Sequence, residues 1–255
     1  MVLAVLNNKG GVGKTTASVN LAAALATPKR RVLLIDLDSQ ASASLWCGIP
    51  RPHLLPSSAD CLLHDYPVAK AVRPTNTRNL DLVTGSTELA NADITLCDVV
   101  GRELTLKNAL QSVRQRYDII LLDCPPSLSL IGVNALMASD ALIIPVTPQF
   151  LAIEGLVSLL AAVDQVRTRL GSRVKLLGVL LTIVKGGQAA AEGTGVLRAQ
   201  HRDRVFHTEI IESSALEEAP ARGKTIFQYA SRSRAADAFR RLAGEVLERL
   251  RELKK

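Results

Sequence analysis

Residues 9–16 read Lys-Gly-Gly-Val-Gly-Lys-Thr-Thr, between the apolar run Val2 to Leu6 and an Ala- and Leu-rich stretch from Thr16 to Leu25 with helical spacing. A strand, a glycine loop and a helix in that order leave few folds open. Gly10, Gly11 and Gly13 let the backbone turn so that successive N–H groups point inward at phosphate oxygens, and the helix aims its positive end at the same place. The natural occupant is a nucleoside triphosphate, with Mg²⁺ as its expected companion. Lys14 is placed to reach the β- and γ-phosphates and Thr15 to offer its hydroxyl to Mg²⁺, as in the pattern G-x-x-x-x-G-K-[ST]. Lys9 opens the loop, one position after the place of that pattern's first glycine, so the expected nucleotide-binding set is Lys9, Gly10, Gly11, Val12, Gly13, Lys14, Thr15 and Thr16.

Apolar runs recur at Val2 to Leu6, Val32 to Ile35, Leu80 to Val83, Ile119 to Leu122, Ala141 to Val146 and Lys175 to Thr182, with helical segments between them. Short β-rich runs alternating with helices predict an α/β fold, a mostly parallel twisted sheet flanked by helices on both faces. The 255 residues suit one such domain, and 47% apolar content supplies its core. Ligands of these sheets sit at the carboxyl ends of the strands, so motifs scattered in sequence should converge at one edge.

Between Cys47 and Arg78 five prolines (50, 52, 56, 67 and 74) break any long helix, which predicts loops and short helices. Residues 186–195, with four glycines and three alanines, predict a flexible connection or a frayed helix start. From Ala235 to Leu253 apolar residues recur at three- and four-residue spacing, an amphipathic helix expected to pack on the body or a partner. Membrane insertion is disfavoured there, since Glu245, Glu248 and Glu252 oppose anionic lipid.

The net charge of +7 favours a polyanionic partner, nucleic acid or an acidic membrane surface. Four widely spaced cysteines without a C-x-x-C pair, and no signal peptide, point to reduced thiols in a cytoplasmic protein. No apolar stretch reaches the ~18 residues of a bilayer span.

Two acidic motifs follow apolar runs. Asp36-Leu37-Asp38-Ser39-Gln40 places two carboxylates at a strand end, one suited to the metal shell and the other to the attacking water. The expectation is Asp36 toward the metal and Asp38 toward the water. Tyr117 to Asp123 ends four apolar residues in an acid, followed by Cys124-Pro125-Pro126, the form of a Walker B strand whose terminal carboxylate holds Mg²⁺ through water. Thr15, Asp36 and Asp123 are thus the metal candidates, and Lys14 and Asp38 catalytic ones.

These motifs, with Pro-Val-Thr-Pro-Gln-Phe-Leu-Ala-Ile-Glu-Gly-Leu at 145–156 and Glu218-Ala219-Pro220 followed by Gly223-Lys224, resemble the ParA/Soj branch of the deviant Walker A ATPases, which includes MinD. The resemblance runs from about residue 2 to 250. It implies ATP as the nucleotide and a homodimer formed on it, with ATP sandwiched between subunits and Lys9 as a further catalytic residue that crosses to the partner's phosphates. A twofold dimer supplies that second ammonium reciprocally, as an arginine finger does in trans. It also implies nonspecific double-stranded DNA binding in the ATP state, a ParB-like protein that stimulates hydrolysis, and a cytoplasmic, nucleoid-associated ATPase that positions a chromosome, plasmid or other cargo.

The match departs from the family at the DNA surface. Where relatives commonly carry Pro-Arg-Asn-Val-Arg-Leu, this chain has Ile211-Glu212-Ser213-Ser214-Ala215-Leu216, without either arginine. Lys185, Arg198, Arg202, Arg222, Lys224, Arg232 and Arg234 are the basic candidates that could restore the patch, together with Arg204, Arg240 and Arg241. Two rivals share the scaffold. A membrane-cycling ATPase of the MinD or flagellar-number type would attach through its C-terminal helix. An electron-transfer enzyme like the nitrogenase iron protein would need paired cysteines, for which this chain offers Cys97 and Cys124.

Overall fold

The computed structural model describes residues 1–254, without the side chains of Phe150, Leu151 and Ile153, so part of the 145–156 stretch lies outside the described residues. Eight strands form one sheet: β1 Val2–Val5, β2 Val32–Asp36, β3 Arg73–Pro74, β4 Leu80–Val83, β5 Ile119–Asp123, β6 Ala141–Val146, β7 Lys175–Val184 and β8 Ile210–Ile211. Their order is β3-β4-β2-β5-β1-β6-β7-β8, and every pairing but the antiparallel β3·β4 is parallel. Every apolar run named in the sequence becomes a strand. The two-residue edge strands β3 and β8 carry no such run and had no signal to read.

Alternation of side chains along each strand feeds two cores. Val2 and Ala4 join Ile120, Leu122 and Ile144 on one face, while Leu3 and Val5 join Leu34, Leu121 and Ile143 on the other. Because both faces are covered, the strands read as continuous apolar runs instead of alternating ones. The helices Leu130–Ala138 and Phe150–Leu170 lie over the first core, and α1, Lys14–Leu25, lies over the second with the C-terminal helix Arg234–Glu252.

Ala235, Phe239, Leu242, Val246 and Leu250 of that C-terminal helix are all buried. Its apolar face is therefore already covered by the protein. No helix among the described residues is long and apolar enough to cross a membrane.

Of the two readings of the glycine-rich stretch 186–195, the helix start is the one seen: a helix begins at Gln188 and continues to His201. Gly193 is there for space, since a Cβ would lie 2.3 Å from the Pro148 carbonyl oxygen. The helix uses that missing side chain to seat against the chain leaving β6.

Candidate functional site

Register brings the motifs to one level. Val5 pairs with Asp123 and Asp36 with Asp123, so β1, β2 and β5 end side by side and their following loops share one edge. Between these loops opens a cavity of about 630 Å³ lined by residues that include Gly10, Lys14, Thr15, Asp38 and Trp46.

The loop itself is built for an anion. Gly11 and Gly13 adopt left-handed backbone with φ of 71° and 76°, which side chains disfavour, and no side chain caps the start of α1. A Cβ placed on Gly10 or Gly11 meets nothing within 4 Å, so those positions face open space and not protein packing. Asn7 fastens the loop at its start: its Nδ2 donates to the Pro145 carbonyl at 2.7 Å and its Oδ1 accepts from the Lys9 amide at 3.0 Å. Val12 is buried, and its carbonyl accepts the Thr182 hydroxyl at 2.8 Å. Thr16 lines the same cavity.

Lys14 is only 7% exposed, and among the described residues its ammonium donates one hydrogen bond, to the Lys9 carbonyl at 2.9 Å. Burial lowers its pKa, with Asp123 and Asp38 pulling the other way. A buried ammonium with two donors to spare suits a phosphate chain. Lys9 is half-buried, its backbone held at both ends and its ammonium in no ion pair among the described residues.

Asp123 is fully buried and accepts from Thr15 Oγ1 at 2.9 Å and Ser18 Oγ at 2.7 Å. Burial raises its pKa, and the neighbouring Asp36 adds to the rise. An acid destabilised in this way gains from a cation at the Thr15 hydroxyl, so this pair fits Mg²⁺. Asp38 lines the cavity, with Oδ1 accepting from the Gln40 amide at 2.9 Å.

Asp36, expected in the metal shell, is fully buried and accepts hydrogen bonds from Ser44 and from the Asp38 amide. The start of α2, Ser42–Trp46, brings the Ser44 amide and hydroxyl to the carboxylate. Asn7, Ser18 and Ser44 were missed in the sequence. Ser18, one helical turn beyond Thr15 on α1, carried the one periodic signal that could have found it.

The basic candidates fall into two groups. Lys185 pairs with Glu212 at 2.9 Å, and Arg198 is spent on the carbonyls of Phe206 and His207 and on Glu209, so its role is to brace that turn. Arg202, Arg222, Lys224, Arg232 and Arg234 are exposed and in no ion pair among the described residues. The segment carrying Arg222 and Lys224 borders the nucleotide cavity: Pro220 and Ala221 line it, and the Lys224 carbonyl accepts from Trp46 Nε1 at 2.8 Å. As for the cysteine pair, Cys97 is exposed while Cys124 is buried in the core, where burial raises its thiol pKa.

A parallel sheet with a phosphate loop after β1 and an acid at the end of the neighbouring β5 defines a P-loop ATPase of the ParA/MinD type. Residues 1–176 match the family described as an AAA domain. The sporulation initiation inhibitor protein Soj of Bacillus subtilis is 42% identical over 250 residues, covering 96% of this chain and 97% of Soj. The chromosome partitioning protein ParA of Caulobacter vibrioides is 37% identical over 254 residues, 98% of this chain and 95% of its own. Among solved structures, cobyrinic acid a,c-diamide synthase from Mycobacterium smegmatis with bound ATP analogue and magnesium superposes with a TM-score of 0.84 at 30% identity, over 98% of this chain and 95% of that one. The chain belongs to the Soj/ParA family of partitioning ATPases.

Proposed function

We propose that the protein is a Mg²⁺-dependent ATPase that dimerises on ATP, binds double-stranded DNA without sequence preference in that state, and positions a chromosome, plasmid or other cargo. Hydrolysis, stimulated by a ParB-like partner, returns it to the monomer. Its place is the cytoplasm, on the nucleoid.

The residues divide the work as follows. Lys14 and the amides of Gly10 to Thr16 hold the phosphates; Thr15 and Asp123 hold Mg²⁺, with Ser18 fixing the second Asp123 oxygen. Bound there, Mg²⁺ would neutralise charge on the phosphate oxygens. Asp38 orients the attacking water from the cavity wall. Lys9 extends across the subunit boundary to the second nucleotide.

The observation that carries this reading is the contrast between the two lysines. Lys14 is buried within its own cavity, whereas Lys9, next to Gly10 of the cavity wall, has a fixed backbone and an ammonium in no hydrogen bond or ion pair among the described residues. A twofold mate is the economical way to use it.

DNA retention with ATP, ADP or no nucleotide across a salt series tests the switch and the basic surface together. The reading expects retention with ATP alone, falling steeply with salt. Equal retention in all three states would refute the switch.

A further inference from the structure

The Asp36 carboxylate is enclosed by three segments that are distant in sequence. Its Oδ2 accepts from the Ser44 amide at 2.8 Å and the Ser44 hydroxyl at 2.6 Å, and its Oδ1 accepts from the Asp38 amide at 3.2 Å. Having donated its one proton, the Ser44 hydroxyl accepts from the Gly85 amide at 3.0 Å. The chain leaving β4 passes so close that a Cβ on Gly85 would lie 2.6 Å from the Asp38 carbonyl oxygen and 3.0 Å from Asp36 Cγ.

The turn from Asp38 to Ala41 is closed by the Ala41 amide on the Asp38 carbonyl at 2.9 Å, and Ala41 sits in left-handed backbone at φ 54°. A non-glycine residue stays there only when its surroundings hold it. Asp36 holds the Asp38 amide at the start of this turn and Ser44 just beyond its end, and Gly85 closes on the Asp38 carbonyl. Between them they fix the backbone on both sides of Asp38 while leaving its carboxylate on the cavity wall.

We propose that Asp36, acting with Ser44 and Gly85, is a positioning residue that aims Asp38 at the site of hydrolysis. This rests on the ATPase reading above. Asparagine at 36 fills the same space but exchanges one acceptor oxygen for an NH₂, which then faces an amide or hydroxyl donor. The turn carrying Asp38 is released, while the atoms of the phosphate loop and the Thr15–Asp123 hydrogen bond are kept.

The test compares Asp36→Asn, Ser44→Ala and Gly85→Ala in the full chain with the parent and with Asp123→Asn. For Asp36→Asn and Gly85→Ala, kcat should fall about 10- to 100-fold, the cost of a displaced catalytic group. Ser44→Ala keeps the amide and should fall less. ADP affinity should stay within about threefold of the parent, since ground-state binding is untouched. The Mg²⁺ concentration for half-maximal ADP binding should change far less for Asp36→Asn than for Asp123→Asn, where it should rise about 10-fold or more. Hydrogen exchange on the nucleotide-free proteins should show the Asp38 and Ser44 amides losing protection in Asp36→Asn.

Parental kcat with unchanged exchange would overturn the proposal. So would a raised Mg²⁺ requirement in Asp36→Asn with kcat restored at high Mg²⁺, which would return Asp36 to the metal shell. Should the parent itself hydrolyse no ATP, the functional reading fails, and the exchange data still decide whether Asp36 holds the turn.

Discussion

Lys14 and Asp123 show how single residues at this site trade stability for chemistry. Lys14→Ala removes the one buried ammonium facing the cavity, so nucleotide affinity should fall on the order of 100-fold or more, the scale of lost charge-assisted hydrogen bonds. Titration calorimetry with ADP and Mg²⁺ reads this directly, and undiminished affinity would remove Lys14 from the phosphate site. Asp36 and Asp123 carry raised pKa values because burial disfavours their charged forms. A carboxylate whose folded pKa is raised contributes stability at low pH and loses it as pH rises through the folded value. Between the ordinary carboxylate range near 4 and the value of about 7 reached by Asp123, these two groups should therefore make the nucleotide-free protein less stable as pH increases. Denaturant midpoints across that window check the sign, and Asp123→Asn should flatten the dependence.

At the scale of elements, the C-terminal helix is tied to the sheet by Arg249. Its guanidinium lies 4.2 Å from the Phe206 ring centroid and donates to the carbonyls of Leu177 at 3.0 Å and Val205 at 2.9 Å, with Glu245 at 3.0 Å. Arg249→Ala leaves two carbonyls short of a partner and should cost about 1–3 kcal/mol. Lysine should rescue little, because it lacks the planar fork. A thermal midpoint within a degree of the parent would show that the helix docks by its apolar face alone. That docking was only half legible in the sequence. The spacing of Phe239, Leu242, Val246 and Leu250 announced a covered face, but the neighbour covering it depends on tertiary contacts that periodicity does not encode. The strands were readable because burial on both sides makes them continuous apolar runs, whereas β8 is two residues long and half-exposed. At the site, the phosphate loop and Asp123 were legible from local spacing. The inward turn of Asp36 was not, since Ser44 and Gly85 reach it from α2 and from the chain leaving β4.

The whole molecule is basic, yet its two most buried acids and one buried lysine meet at a single sheet edge. That edge also carries the half-buried Lys9, and the account turns on what its ammonium meets. Lys9→Ala should keep nucleotide binding within about threefold while losing stimulated turnover, because the missing ammonium acts only between subunits. Stopped-flow binding and steady-state hydrolysis separate the two effects. The most direct measurement is the mass in solution of Asp38→Ala, the variant expected to bind ATP without hydrolysing it. In saturating ATP and Mg²⁺, light scattering should give twice the 27.4 kDa of the chain, and in ADP the mass of one chain. A single 27.4 kDa species in both nucleotides would contradict the nucleotide-bridged dimer.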